Sequence, residues 1–134
     1  MIHGEYYPNN ILLCDRQVHA VDWEAAALGP GVIDLAALTE GSWPPRVVLR
    51  CEREYVRARW PHEPPLHFDR ALEAARHYLH FRWLGDRWER TLSEKTSWRL
   101  GALRSTAARL GLVEAGPPAT DTSTWPPAPA PTAP

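Results

Sequence analysis

Lysine is almost missing from this chain: Lys95 is the only one in 134 residues, and arginine carries nearly all of the basic charge. Basic and acidic residues number 15 and 16, for a formal charge of -1. No net field therefore favours nucleic acid or an anionic membrane as partner. Cysteine is scarce as well. Cys14 sits in an apolar run and Cys51 in a stretch of helical pattern, a spacing that offers neither a metal knuckle nor a disulfide framework and points to a reducing, cytoplasmic setting. No apolar run approaches the roughly 20 residues that cross a bilayer, and no charged, apolar and small-residue succession opens the chain. Repeats at a solenoid period are also lacking. The expectation is a soluble protein of one domain.

What is there divides into a folded unit over residues 1–112 and a tail over residues 113–134. The tail, from Gly116 onward, is Pro, Ala, Thr and Ser around a single Trp125, too little apolar surface to offset the entropy of ordering, so it is expected to be disordered. In the folded unit, Ile11–Cys14 and Val18–Val21 are short apolar runs separated by Asp15-Arg16-Gln17, which predicts a β-hairpin. Trp23 to Gly31 reads as a loop closed by Gly29-Pro30-Gly31, and Val32 to Glu40 as a short helix.

Three longer helices follow. The first starts after Trp43-Pro44-Pro45, carries Val47, Val48, Cys51, Tyr55 and Ala58 on one face, and stops at Pro61. The second, about Phe68 to Leu84, aligns Phe68, Leu72, Ala75, Leu79 and Trp83, leaves Asp69, Glu73, Arg76 and Arg82 to face water, and has Gly85 as its stop. The third, about Ser93 to Leu110, has Ser93 as N-cap and aligns Leu100, Leu103, Ala107 and Leu110 before Gly111. His77 and His80, three apart, read as a surface pair. Trp60, Trp88 and Trp98 line a substrate face, belong to the core or cover a former interface.

Polar residues collect at the open end of the hairpin. Taken singly, Glu5 reads as a solvated loop carboxylate, Asn10 as a turn residue and Asp22 as a strand-end acceptor of backbone N–H groups. Taken together, a carboxylate at 5, an amide at 10 and a carboxylate at 22 meet the needs of magnesium-assisted phosphoryl transfer. One acid accepts a hydroxyl proton, and an amide oxygen and a second carboxylate hold a hard cation.

The run His3-Gly4-Glu5, Asn10 five residues after the acid, two short strands and Val21-Asp22-Trp23-Glu24 resemble the aminoglycoside phosphotransferase and choline kinase family. So does the later Gly31-Val32-Ile33-Asp34-Leu35-Ala36. The resemblance implies an α+β, mainly helical fold: the C-terminal lobe of a protein-kinase-like protein, a catalytic-loop β-hairpin followed by a helical block. It implies Glu5 as catalytic base, Asn10 and Asp22 as magnesium ligands, His3 and Asp34 as structural supports of the loop, and Glu24 as a secondary candidate. Trp23 would pack beneath the metal site. The intact form would pass a phosphoryl group from ATP or GTP, with Mg2+, to a hydroxyl of a small molecule. Two departures stand out. The family's usual Asp is Glu5 here, and the amino-terminal lobe has no counterpart, so a separate or upstream lobe is expected as a partner and the chain by itself is expected to be inactive.

Two other classes stay open. A non-catalytic scaffold remnant predicts an apolar patch where the other lobe would sit. A small metallohydrolase predicts that His3, Glu5, His19 and Asp22 converge on a metal.

Overall fold

The computed structural model describes residues 1–86 and 97–114. Ser93, Trp88 and nearly all of the tail, about which the sequence raises expectations, lie outside them. Strands β1 (Ile11–Cys14) and β2 (Gln17–Ala20) form an antiparallel hairpin, followed by helices α1 (Val32–Leu38), α2 (Pro45–Arg59), α3 (Phe68–Asp86) and α4 (Ser97–Arg109). The described residues are thus α+β and mainly helical. Among them, no helix is long and apolar enough to cross a membrane.

The hairpin turns more tightly than the sequence suggests. Cys14 pairs with Gln17, leaving a two-residue loop of Asp15 and Arg16, both at positive φ (48° and 64°). That left-handed pair matches the twist of the strands it joins, so Gln17 is drawn into β2 and Val21 falls just outside it. The hairpin adds little to the core. Leu13 and Val18 face each other across the strands yet are 75% and 61% exposed.

Stability comes from the helices. Val32, Leu35, Ala36 and Ala37 of α1 pack on Leu72, Ala75 and Leu79 of α3, and each fully buried Leu or Val contributes about 1.5–3 kcal/mol. Tyr55 and Phe68 stack at 6.2 Å between ring centroids, with Trp60 edge-on to both, so Trp60 belongs to the seam between α2 and α3. Against α3 also lies α4, and Ala107 within it and Leu110 just after it are buried.

Several polar expectations give way. Gly85 does not stop α3, which runs through it to Asp86. Leu100 is 41% exposed, and buried Thr106 takes the inward place: its hydroxyl donates to the Ala102 and Leu103 carbonyls and meets His77 Nδ1 at 2.9 Å. Nor do the charges of α3 simply face water. Arg76 reaches Glu52 on α2 at 2.6 Å, and Glu73 reaches Arg109 on α4 at 2.6 Å, tying three helices together. His80 is buried, not part of a surface pair.

Candidate functional site

The amino-terminal segment lies against the loop after β2, where Ile2 and Ala27 form an isolated antiparallel bridge. Gly4 makes this approach possible. Its φ is +84°, and a Cβ there would stand 2.3 Å from the Ala25 carbonyl oxygen, a contact no side chain tolerates.

Asp34, in the first turn of α1, fixes the turn at Gly4. Its Oδ2 accepts from the His3 backbone N–H at 2.8 Å and its Oδ1 from that of Gly4 at 2.9 Å. Charge-assisted bonds of this kind are about twice as strong as neutral ones. His3 is buried at 2% exposure and faces away from the open site: Nε2 donates to the Val21 carbonyl at 2.9 Å, and Nδ1 accepts from the Glu5 N–H at 3.3 Å. Those two bonds imply the neutral Nε2–H tautomer. Trp23 packs on His3 at 4.5 Å between centroids and donates Nε1–H to the Ala20 carbonyl, so the indole covers the imidazole.

The same bonds bring the candidate residues together. Asn10 donates its side-chain Nδ2–H to the Glu5 carbonyl at 3.0 Å, and its own carbonyl accepts from the Val21 N–H at 2.9 Å. Glu5, Asn10 and Asp22 thus gather at the open end of the hairpin. Asp22 is exposed and held at φ 64°, ψ 64°, with no capping bond on its carboxylate. A non-glycine residue in that region costs on the order of 1–3 kcal/mol, and such residues cluster at functional sites. Glu24, the secondary candidate, is exposed.

Sequence reasoning missed Arg82. From the far end of α3 its Nη1 donates to the Gly4 carbonyl at 2.9 Å and its Nη2 to Glu5 Oε1 at 3.2 Å. Next to it, Trp83 donates Nε1–H to the Tyr7 hydroxyl at 2.6 Å. Burial, foremost, pushes the Tyr7 phenol up to about 12. No local signal marks Arg82, because the helical period places it off the apolar stripe.

The four-residue metal set of the hydrolase reading does not form. Among the described residues no group of three or more His, Cys, Asp or Glu side chains is placed to hold a metal. The physical reason is that both His3 ring nitrogens are spent on the backbone, while His19 stands exposed on the hairpin opposite Leu12. A magnesium site has a lighter requirement, one or two carboxylates with phosphate and water oxygens completing the shell. Asn10 and Asp22 fit it: the amide nitrogen of Asn10 is occupied, which leaves its oxygen as the free donor, and the Asp22 carboxylate is open to solvent.

Comparison of the chain with protein-family models, curated proteins and solved structures gives no match.

Proposed function

We propose that this chain is the catalytic-loop part of a small-molecule phosphotransferase, which in its intact form moves the γ-phosphoryl group of ATP or GTP to a hydroxyl. The reading is supported above all by the gathering of Glu5, Asn10 and Asp22 at one end of a short hairpin, on a loop that Asp34 clamps. Glu5 accepts the proton of the attacking hydroxyl, and Arg82 positions its carboxylate. Asn10 and Asp22 would hold magnesium, which when bound neutralises charge on the phosphate oxygens. His3 and Asp34 keep the loop in shape, so that the base needs no reorganisation during the reaction.

For these 134 residues alone, weak nucleotide binding and negligible turnover are the expected outcome. Titration with magnesium–nucleotide, followed by tryptophan fluorescence, is expected to give a weak, saturable response that needs magnesium and is lost in Asp22→Ala. No response at millimolar nucleotide would sink the catalytic reading. In that case the exposed Leu13 and Val18, paired on one face of the hairpin, favour the scaffold reading, in which this surface meets a partner chain.

A further inference from the structure

The end of α1, the middle of α3 and the start of α4 line an open cleft of about 340 Å³, bordered by Thr39, Glu40, Ser42, Leu79, His80 and Trp98. Two of its charges are fixed against each other. Glu40 Oε1 accepts from Arg99 Nη1 at 3.1 Å, and the guanidinium lies between two indoles, 4.4 Å from the Trp98 ring centroid and 4.8 Å from that of Trp83. Beside this pair stands an unmet polar group. His80 is only 9% exposed, its buried Nδ1 has no hydrogen-bond partner, and the nearest carboxylate oxygen, Glu40 Oε1, is 3.6 Å away. That is too far for a bond. A buried polar atom without a partner calls for an explanation such as a ligand.

We propose that this cavity binds a small neutral polyol of monosaccharide size, one hydroxyl bridging His80 Nδ1 and Glu40 Oε1 and a carbon face lying on Trp98. The volume falls at the small end of ligand pockets, which run from about 300 to 1,000 Å³. A hydroxyl is donor and acceptor at once, so it can accept from the Nδ1–H tautomer of His80 while donating to Glu40 Oε1, whereas an ammonium only donates. Charge selects in the same direction. Arg99 and Arg76 beside the cavity oppose a cation, and Glu40 opposes an anion. His80 adds no charge at neutral pH: burial first, then its interactions with Arg99, His77 and Arg109, hold its imidazole down at about 4 against a weaker opposite pull from Glu73.

A chain of contacts joins the edge of the cavity to the loop, starting from Arg99 on Glu40. Trp83, under the Arg99 guanidinium, donates to Tyr7, two residues after Glu5. As a binding site the cavity stands by itself; that its occupant is the phosphoryl acceptor rests on the phosphotransferase reading.

The test is NMR titration of the full chain, without nucleotide or magnesium, using myo-inositol and glucose as neutral probes, choline and glucosamine as cations, and glucose 6-phosphate as an anion. Saturable shifts of the Trp98 indole and the His80 ring nitrogens are expected with a neutral probe, and affinity is expected to fall about tenfold or more in His80→Phe, the loss of one buried hydrogen bond. Glu40→Gln, which keeps the shape and an acceptor for Arg99, is expected to weaken binding in the same direction and serves if His80→Phe does not fold. Three results would overturn the proposal: no saturable response to a neutral probe, tighter binding of a charged one, or shifts that both variants leave unchanged. Asp22→Ala should leave polyol binding intact while removing the nucleotide response, so failure at one site is distinguishable from failure at the other.

Discussion

Arg82 and Glu5, separated by 77 residues in sequence, are joined by an ion pair of 3.2 Å, and the same guanidinium holds the carbonyl of Gly4 at 2.9 Å. The fork of Arg makes both contacts from one rigid plane, which the point charge of a Lys cannot do. Arg82→Lys is therefore expected to behave like Arg82→Ala, not like wild type. Both should speed amide hydrogen exchange at Gly4 and Glu5 and cost about 1–2 kcal/mol in urea unfolding. Wild-type exchange in the Lys variant would show that charge alone suffices.

Asp34 has a larger part in stability, because its removal leaves two backbone N–H groups of the loop without an acceptor. Asp34→Ala should cost about 2–4 kcal/mol, since bonds to a charged acceptor contribute more than neutral ones. Asp34→Asn, which retains one acceptor oxygen, should fall between. Chemical denaturation of the two variants checks the order.

Asp22 predicts a conflict between stability and function. Its left-handed backbone suits glycine better than any side chain, so Asp22→Gly should stabilise the fold by up to about 1 kcal/mol, and Asp22→Ala should destabilise it by a similar amount. Both should abolish the magnesium-dependent nucleotide response. A glycine variant that still responds would remove Asp22 from the proposed ligand set.

Acid should weaken the fold through His80. Its folded-state pKa of about 4 lies below the ordinary 6.5, so between these values the unfolded chain binds more protons. Stability is then lost as pH falls from about 6.5 to 4. Glu40 acts in the opposite sense, because burial raises its pKa against the lowering pull of Arg99; its stabilising effect appears below that raised value and fades as pH rises through it. The pH dependence of wild type minus that of His80→Phe isolates the histidine. A flat difference over this window would refute the assignment.

Regular periodicity and turn chemistry made much of the fold legible: the hairpin, the start of α1 at Val32, and the stripe of Leu72, Ala75 and Leu79 on α3 follow from spacing alone. The misses share a cause. Arg82, His80 and Thr106 lie off or beside the apolar stripes, where a helical period assigns water. Each is drawn inward by a partner remote in sequence or on another helix: Glu5 for Arg82, Glu40 and Trp98 for His80, His77 for Thr106. Pairings across elements leave no mark in local pattern. The hairpin turn slipped by one residue for a related reason, since Asp15 and Arg16 both adopt positive φ without a glycine to announce it.

The pairing of Arg82 with Glu5 also bears on the order of assembly. The hairpin closes over a two-residue turn and belongs to contacts that form in about 1–10 μs. The site needs more: Asp34 reaches back about 30 residues and Arg82 nearly 80, and such loops carry a larger closure entropy before their contacts reward it. A nascent chain would therefore own its hairpin and helices before it owned a positioned base, and protection of the Glu5 amide would report completion of the tertiary structure more faithfully than helical content does.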